Sequence, residues 1–480
     1  MMNKLHEECG VFGVFSKSNY EVASTVYYGL YALQHRGQQS CGIVVNDDGV
    51  FTARRDLGLV NEVFDKDSLA ALGEGALALG HVRYGSADGN SRLNAQPIVI
   101  NHVKGTMAIA HNGCLTNSTE LRRELELQGS IFHTTSDTEV ISYLVTKERL
   151  TAPTIEEAVN RACKKLEGAY SIAIMSPSKL IAMRDPHGFH PLCYGRTPDG
   201  TYIVSSETCA LDAVDAKLIR EIEPGEIVVF TKDGVKSIRD NCDPSKHSFC
   251  VFEYIYFARP DSVIDGTTVH TARLRAGAYL AMEHPVQADV VIGVPDSGLD
   301  AAVGYARQSG IPYEIGFLKN KYIGRTFIAP GQKTRENLVR IKLNPIPEVV
   351  KDKRVVLIDD SIVRGTTCAR IIKLLRDAGA KEVHMRVTAP PFLNPCYYGT
   401  DIPSRDVLIA CNHTIEEIEK IIDVDSLGYL SIENTRKLAC ESGHCNYCTA
   451  CFDGNYPTPE PKPREKNRFE IKISEREGKN

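Results

Sequence analysis

The 480-residue chain contains no apolar run that could cross a membrane. A membrane helix needs about 18–20 consecutive apolar residues, and no stretch of this sequence approaches that length. The opening segment MMNKLHEE also lacks the apolar stretch of a secretory signal. The sequence therefore predicts a soluble, cytoplasmic protein with no membrane partner.

The chain also lacks a large excess of acidic or basic residues. The chain has 56 basic and 61 acidic residues, which gives a formal charge of -5. No basic block marks a nucleic-acid-binding surface, so nucleic acid is not expected as a partner. The sequence shows no internal repeat, and its 53.0 kDa exceed what one hydrophobic core usually organises. Two domains are therefore predicted.

Two patterns of strands and helices divide the chain. From Glu8 to about Phe230, short strands such as CGVFGVF and TMAIAHNG alternate with polar helical segments, which indicates an α+β domain with largely antiparallel strands. Later, the nearly continuous apolar runs ADVVIGVP and KRVVLIDD alternate with helices, which predicts a parallel sheet covered on both faces. The predicted domains are 9–240 and 241–456, followed by a mobile, Pro-rich and charged tail at 457–480.

Cys9 precedes a small apolar strand near the start of the chain. A thiol attacks as thiolate, so it needs a base nearby. No histidine at suitable spacing identifies itself, but an α-amino group has a pKa of about 7.7–8.0, close to about 8.5 for a thiol. If Cys9 is the first residue of the mature chain, its own amine can accept the proton. The alternative is an ordinary core cysteine.

Other polar segments of the first domain supply groups that could bind and cleave an amide. These segments are LQHRGQQSCGI, GHVRYGS, AHNGCLTN and TSDTEV, and each could also be a turn or a helix cap. Arg83 could pair with a substrate carboxylate, and Asp137 could hold a substrate ammonium. Asn112 and the N–H of Gly113 could donate to an oxyanion.

The segment VVLIDDSIVRGTT indicates a second site. An apolar strand ends in Asp359 and Asp360, and a loop containing Gly365, Thr366 and Thr367 leads into a helix. Loop N–H groups, hydroxyls and the positive end of a helix dipole suit a phosphate, and the carboxylates suit Mg²⁺ or ribose hydroxyls. The loop is not a Walker motif. A strand followed by an Asp cap is the alternative, but it leaves Arg-Gly-Thr-Thr unexplained.

Two groups stand out among the fifteen cysteines. One group is scattered singly and is predicted to be buried as small hydrophobic residues: Cys41, Cys114, Cys163, Cys193 and Cys209. The other group, in CNYCTAC, has the C-x₂-C-x₂-C spacing of Cys445, Cys448 and Cys451. That spacing suits an iron–sulfur cluster, with a zinc knuckle as the competing interpretation.

With these motifs the whole chain resembles the glutamine phosphoribosylpyrophosphate amidotransferase (amidophosphoribosyltransferase) family, in its iron–sulfur-containing type. The resemblance implies an α+β N-terminal-nucleophile hydrolase sandwich followed by an α/β type I phosphoribosyltransferase domain with a parallel sheet. It implies removal of residues 1–8, glutamine binding by Arg83 and Asp137, and an oxyanion hole from Asn112 and Gly113. The expected reaction transfers ammonia from glutamine to 5-phosphoribosyl 1-pyrophosphate, giving 5-phosphoribosylamine, glutamate and pyrophosphate as the first step of purine synthesis.

The resemblance also implies a set of binding residues. The expected phosphoribosylpyrophosphate contacts are Asp359, Asp360, Ser361, Arg364, Gly365, Thr366, Thr367, Lys321 and Arg325, the last two in a closing loop that also holds the candidate Lys319. Mg²⁺ is expected at Ser297, Asp359 and Asp360. A [4Fe–4S] cluster is expected at Cys250, Cys396, Cys448 and Cys451, with Cys445 as a spare thiol. A homotetramer inhibited by purine nucleotides is also implied.

Two positions depart from the family pattern. Cys114 stands where the family usually has Asn, and His190 stands where Arg is common; we expect Cys114 to pack rather than to confer sensitivity to oxidation. Two other protein classes are alternatives. An amidotransferase that shares only the Cys9 domain leaves the segment 355–367 unexplained. An iron–sulfur redox sensor leaves the polar set of the first domain unexplained.

Overall fold

The structure is a computed structural model that describes residues 9–84, 92–320, 343–400, 402, 404–440 and 446–461. They divide into two compact units. The sandwich unit contains 9–250, 396–400, 402 and 456–461, and the parallel-sheet unit contains the described parts of 251–395 and 404–455. The units change over at 250 rather than 240, and the segment around 396–402 belongs to the sandwich unit. The predicted removal of residues 1–8 and the tail beyond 461 lie outside the described residues.

The sandwich unit is built from thirteen strands along the described part of the chain. They are β1 (Gly10–Tyr20), β2 (Ser40–Asp47), β3 (Val50–Leu57), β4 (Gly75–Arg83), β5 (Ile98–His102), β6 (Gly105–Asn112), β7 (Ser171–Met175), β8 (Leu180–Arg184), β9 (Cys193–Arg196), β10 (Tyr202–Ser205), β11 (Lys217–Glu221), β12 (Ile227–Thr231) and β13 (Gly234–Ile238). Its helices are Val22–Ala32, Val60–Val63, Lys66–Ala70, Ser118–Leu127, Asp137–Arg149, Ile155–Cys163 and Thr208–Asp212, with 3-10 turns at Arg92–Asn94 and Pro244–Lys246.

These strands form two antiparallel sheets, as the sequence predicted. Their orders are β11-β9-β10-β1-β4-β2-β3 and β13-β12-β8-β7-β6-β5. Alternation along β1 explains the stacking, because successive side chains point to opposite faces of a strand. Val11 and Phe15 join Ala108 and Ala110 of β6 in a buried core between the sheets, whereas Phe12 packs with the helix Val22–Ala32 on the outside. Helices therefore cover the outer faces of a double sheet.

The parallel-sheet unit and the adjoining chain contain shorter strands. They are β14 (Phe249–Cys250, at the end of the sandwich unit), β15 (Val263–Ile264), β16 (Thr267–Thr268), β17 (Val290–Gly293), β18 (Phe317–Lys319), β19 (Leu343–Pro345), β20 (Arg354–Asp359), β21 (Glu382–Val387), β22 (Ser426–Tyr429) and β23 (Tyr447–Cys448). The helices are Val269–Glu283, Gly298–Ser309, Pro347–Val350, Thr366–Asp377, Ile409–Asn412, Ile415–Ile422, Ile432–Thr435 and Ala450–Asp453, with a π-helical turn at Glu253–Phe257 and a 3-10 turn at Arg405–Val407.

Four of these strands form the predicted parallel sheet, in the order β17-β20-β21-β22. Every residue of β17 is buried, as expected for a sheet covered on both faces. Val355 and Leu357 of β20 pack with the helix Thr366–Asp377 through Ile371 and Ile372. Parallel strands direct their carboxyl ends to one edge, which places the residues after β17 and β20 side by side. Among the helices of the described residues, none has the length and apolarity to span a bilayer.

Two helices of this unit, Val269–Glu283 and Gly298–Ser309, approach each other closely at glycines. A Cβ added at Gly277 would lie 1.8 Å from the carbonyl oxygen of Ala301, and one added at Gly304 would lie 2.0 Å from that of Leu274. Backbone atoms cannot yield as a flexible side chain can. The absence of a side chain at both positions therefore sets the distance between the helices.

We expect Gly277→Ala to destabilise the parallel-sheet unit, because the methyl group would force the two helices apart. Overpacking of this kind typically costs about 1–3 kcal/mol, and about 1 kcal/mol lowers the midpoint of thermal unfolding by about 2–4 °C in a domain of this size. Gln308→Ala, at an exposed position of the second helix, is the control and should leave the midpoint unchanged. Equal midpoints for the two variants would contradict the close packing.

Candidate functional site

Cys9 and Arg83 lie at the same end of two neighbouring strands. Gly10, the first residue of β1, pairs with Val82 of β4, and Arg83 is the last residue of β4. Cys9 is half-buried, and its Sγ lies 3.7 Å from the carbonyl oxygen of Tyr84. The pairing of β1 with β4 therefore brings the predicted nucleophile beside the predicted partner of a substrate carboxylate. The guanidinium of Arg83 is oriented by a 2.9 Å hydrogen bond from Nη1 to the carbonyl oxygen of Asn94.

A buried ion pair holds the backbone of Cys9. Nε of Arg36 donates to the carbonyl oxygen of Cys9 at 3.0 Å, and its Nη1 lies 2.6 Å from Oε1 of Glu207. Both side chains of this pair are fully buried. His35 contacts the same carboxylate oxygen at 2.7 Å through Nε2. Because a buried charge needs its partner, the pair fixes the position of Cys9 relative to the sandwich.

The predicted oxyanion donors lie at the end of β6. Asn112 is the last residue of this strand, and its buried Nδ2 has no hydrogen-bond partner among the described residues. Gly113 follows with φ +128°, and a Cβ there would lie 2.3 Å from the carbonyl oxygen of Ala169. Only glycine fits this backbone turn. A buried amide without a partner costs free energy unless an acceptor arrives with a ligand.

Asp137 is held near the same turn. It begins the helix Asp137–Arg149 and is buried. Its Oδ2 accepts a hydrogen bond from the backbone N–H of Leu115 at 2.9 Å, and its Oδ1 lies 3.3 Å from Nδ1 of His111. His111 in turn connects the two sheets, since its carbonyl oxygen lies 3.0 Å from Nε2 of His81 in β4. The sandwich thus brings the ends of β1, β4 and β6 and this helix together.

The two predicted carboxylates of the second site lie where β20 ends. Asp359 and Asp360 are both buried, and Oδ1 of Asp359 accepts from the backbone N–H of Asp360 at 2.9 Å. The hydroxyl groups of Ser297 and Ser361 each donate to one oxygen of Asp360. Ser297 follows β17, the neighbour of β20, so the parallel register brings the predicted Mg²⁺ contacts together. Their oxygen atoms are the donors that Mg²⁺ prefers.

The predicted phosphate loop runs from Ser361 to the start of the helix Thr366–Asp377. Gly365 has φ +74°, a value that favours glycine, and a Cβ there would lie 2.6 Å from Cδ1 of Ile409. Thr366 and Thr367 form the first turn of the helix and Thr366 is exposed, while Arg364 and Thr367 are half-buried. Hydroxyl and N–H groups at this helix start are available for an anion.

The basic residues predicted to cover this site are only partly described. Lys319 ends β18, and its ammonium forms an ion pair with the carboxylate of Asp296 in the segment GVPDSG. This contact joins two predicted segments of the sugar-phosphate site. Lys321 and Arg325 lie outside the described residues.

Comparisons with known proteins agree with this division. A model of the glutamine amidotransferase domain matches residues 85–213, and a model of the phosphoribosyl transferase domain matches residues 270–416. The curated amidophosphoribosyltransferase of Methanocaldococcus jannaschii is 48% identical over 464 residues, which cover 94% of this chain and 98% of the relative. The curated amidophosphoribosyltransferase of Bacillus subtilis is 47% identical over 458 residues, which cover 95% of this chain and 95% of the relative.

The chain belongs to the amidophosphoribosyltransferase family. It is a glutamine-dependent phosphoribosyltransferase of the first step of purine biosynthesis, which confirms the function predicted from the sequence. A solved structure of the allosteric regulatory enzyme of purine biosynthesis matches with a TM-score of 0.87 and 47% identity, covering 94% of this chain and 97% of the other. The Bacillus subtilis enzyme complexed with ADP and GMP matches with a TM-score of 0.86, at 47% identity and with 94% and 98% covered. The predicted fold class is thereby confirmed.

The chain keeps most of its scattered cysteines in the core. Cys41, Cys163, Cys193 and Cys209 are buried, as predicted. Burial raises the pKa of both Cys41 and Cys163 to about 12, so these thiols stay protonated and unreactive. Cys114 is only half-buried.

The other departure, His190, is fully buried in the sandwich unit. Its Nε2 lies 2.9 Å from the carbonyl oxygen of Tyr398, and the ring of Tyr398 stacks on Phe189 with centroids 4.1 Å apart. These contacts tie the segment around Cys396 to the sandwich unit. The histidine therefore has a structural role in this chain.

The four predicted cluster ligands are divided between the two units, with Cys250 and Cys396 in the sandwich unit and Cys448 and Cys451 in the parallel-sheet unit. In the parallel-sheet unit, the N–H of Val251 donates to the carbonyl oxygen of Cys448 at 3.4 Å, and the N–H groups of Leu393 and Asn394 donate to that of Cys451 at 3.0 and 3.1 Å. Within the described ranges, no three His, Cys, Asp or Glu side chains form a possible metal site. The ligand set stays a prediction.

Sequence reasoning missed the residues that support the glutamine site. Arg36 lies in LQHRGQQSCGI, one of the polar segments of the first domain. A charged residue between an apolar helix and Gly37 can indicate a buried side chain. Glu207 carries no such signal, because it lies 171 residues away in the sequence. His111 directly precedes Asn112 and could have been noticed for that reason. The tertiary fold alone reveals what each of them contacts.

We expect Arg36→Met to weaken the sandwich unit and its glutaminase activity, because Glu207 would keep a buried charge without its guanidinium. Breaking such a pair typically costs about 3–5 kcal/mol. The double variant with Glu207→Gln should recover part of the stability but not the activity, since Cys9 still lacks its donor. Arg196→Met removes an exposed arginine of the same unit and serves as the control. A thermal midpoint for Arg36→Met equal to that of the control would refute the proposed role.

Proposed function

We propose that Cys9, once residues 1–8 have been removed, is the nucleophile that opens the amide of glutamine. Its own α-amine accepts the thiol proton, and the thiolate attacks the amide carbon to form a tetrahedral oxyanion. The amine passes the proton to the leaving nitrogen, so ammonia departs and a thioester remains. Water then hydrolyses the thioester to glutamate and the thiol.

The observation that carries this proposal is the buried amide of Asn112, which has no acceptor among the described residues. Together with the N–H of Gly113, it would donate to the oxyanion, and loss of one such donor typically costs about 10²–10³ in kcat. Arg83 would pair with the carboxylate of glutamine, and Asp137 with its ammonium. Because these groups are held by the fold before substrate arrives, they need little reorganisation on binding.

The second half-reaction takes place at the edge of the parallel sheet. Ammonia attacks C1 of the ribose as pyrophosphate leaves, so positive charge develops on the sugar and negative charge on the leaving group. Asp359 and Asp360 would bind the ribose hydroxyls or Mg²⁺, and the stretch 361–367 would bind the 5-phosphate. Lys319, and with it Lys321 and Arg325, would neutralise the leaving group.

Two inorganic cofactors complete the proposal. Mg²⁺ would be held by Ser297, Asp359 and Asp360, whose oxygen atoms suit a hard cation, and it would neutralise the pyrophosphate. A [4Fe–4S] cluster would be held by Cys250, Cys396, Cys448 and Cys451, whose thiolates suit soft iron. The reaction requires no electron transfer, so the cluster would be structural.

Regulation and assembly are proposed from the family. The relative from Bacillus subtilis has been solved with ADP and GMP, which supports feedback inhibition of this chain by purine nucleotides. The homotetramer and the cytoplasmic location remain predictions from the resemblance and the sequence.

Replacing Cys9 by Ala should separate the two half-reactions. We expect glutamine-driven synthesis of phosphoribosylamine to fall by at least about a thousandfold, because the nucleophile is gone, while synthesis from added ammonia continues. Cys242→Ala, at another half-buried cysteine of the sandwich unit, should retain both activities. Loss of both activities in Cys9→Ala would contradict the proposal that separate sites catalyse the two half-reactions. Mass spectrometry of the active enzyme must also show Cys9 as its first residue.

Iron and sulfide analysis should distinguish the cluster from a zinc knuckle. We expect about four irons and four sulfides for each chain purified without oxygen, with a broad visible absorbance. Cys448→Ser should abolish both the iron and sulfide content and the visible absorbance. Removal of the cluster should lower the thermal midpoint of the parallel-sheet unit. Cys411→Ser replaces an exposed cysteine of that unit and should keep the cluster. Zinc in place of iron would rule the cluster out.

A further inference from the structure

Asn94 lies between the two groups that are proposed to bind the α-carboxylate and the α-ammonium of glutamine. It ends the 3-10 turn Arg92–Asn94 and is 1% exposed. Its carbonyl oxygen accepts the 2.9 Å hydrogen bond from Nη1 of Arg83. Its side chain contacts Thr135, two residues before Asp137 in the chain. One buried residue therefore contacts both Arg83 and the segment that leads into Asp137.

The side chain of Asn94 makes a pair of hydrogen bonds with Thr135. The backbone N–H of Thr135 donates to Oδ1 of Asn94 at 3.1 Å, and Nδ2 of Asn94 donates to the hydroxyl oxygen of Thr135 at 2.7 Å. A backbone N–H only donates, so it decides which end of the amide is the oxygen. Because one planar amide makes both bonds, Thr135 is restrained in direction as well as in distance.

The segment 94–97 is anchored to both sheets of the sandwich unit. Oε1 of Gln96 accepts a hydrogen bond from the N–H of His111 in β6 at 2.8 Å. Nη1 of Arg55 in β3 donates to two carbonyl oxygens of the same segment, at 3.2 and 3.0 Å. The backbone that carries Asn94 is therefore held independently of its side chain.

The segment that contains Thr135 is also held by Glu139. This buried carboxylate accepts from the N–H of His133 through Oε1 at 3.0 Å, and from the N–H and the hydroxyl of Thr134 through Oε2 at 2.7 and 2.8 Å. Asp137 begins the helix to which Glu139 belongs. Because this stretch has little freedom, moving Thr135 would also move Asp137, two residues later.

We propose that Asn94 is a positioning residue of the glutamine half-reaction, which fixes Arg83 and Asp137 at the separation that one substrate molecule requires. Asn94 acts through these two residues, and the inference rests on the roles proposed for them. They would bind two substituents of the same carbon, so a change in their separation weakens the binding of a substrate that carries both. A substrate without the ammonium engages Arg83 alone and does not depend on the separation.

The test compares glutamine with 5-amino-5-oxopentanoate, the same amide without the α-amino group. We expect Asn94→Ala to raise the KM for glutamine by about tenfold to a hundredfold, because two buried hydrogen bonds are lost. The kcat for glutamine should change by less than about threefold, as for loss of an interaction that acts in binding. The kcat/KM for the analogue should stay within about threefold, since the backbone carbonyl that orients Arg83 remains.

A second pair of variants tests the same contact from its other partner. Thr135→Val removes the hydroxyl that accepts from Nδ2 of Asn94, and it should raise the KM for glutamine by about threefold to tenfold. Thr135→Ser keeps that hydroxyl and should stay within about twofold of the wild type. This pair decides if Asn94→Ala fails to fold, which its thermal midpoint shows. Asn101→Ala, at an exposed asparagine of β5, is the matched control and should alter neither substrate.

The outcomes separate this inference from the proposed function. Equal losses of kcat/KM for both substrates, in Asn94→Ala or in Thr135→Val, would overturn the inference, because a general loosening of the site affects every substrate alike. An unchanged KM for glutamine would overturn it as well. If Asp137→Asn lowers both substrates equally, the proposed role of Asp137 fails. If Asp137→Asn impairs glutamine alone while Asn94→Ala impairs both substrates equally, only the role of Asn94 is wrong.

Discussion

Burial of polar groups at strand ends is the constraint on which the glutamine site depends. Water does not reach Arg36, Glu207 or His81, so each must find its partner within the protein or destabilise it. Arg36 and Glu207 satisfy each other and hold the carbonyl of Cys9, while His81 joins the two sheets. The amide of Asn112 is different, because its partner would be the oxyanion that forms during the reaction.

Both units place their candidate site residues where strands end, but for different reasons. In the antiparallel sandwich, β1 starts where β4 stops, so Cys9 and Arg83 meet through strand pairing. In the parallel sheet, all strands point the same way, so Ser297 after β17 meets Asp360 after β20. Loops beyond strand ends are free of the sheet's own hydrogen bonds, and their polar groups remain available for ligands.

The cysteines show how environment decides the chemistry of one side chain. Burial raises the pKa of the thiols of Cys41 and Cys163, so these residues behave as small apolar residues. Cys9 is half-buried at the start of a strand, where freeing its amine would supply a base. Cys448 and Cys451 lie in the parallel-sheet unit, where their carbonyl oxygens accept hydrogen bonds from the backbone. Burial thus makes the first two thiols core residues, while the roles of nucleophile and of cluster ligand are proposed for the others.

The sequence by itself determined the two fold classes, because alternation in β1 and continuous apolar runs in β17 and β20 are local patterns. It also predicted the candidate site residues, because Cys9, Asn112, Asp137 and Asp359 lie in short motifs with a recognisable chemistry. It could not determine that Glu207 pairs with Arg36, that His111 lies beside Asp137, or that residues 396–400 and 402 belong to the sandwich unit. Those contacts join segments far apart in the chain, and only the packing of the sheets decides which of them meet.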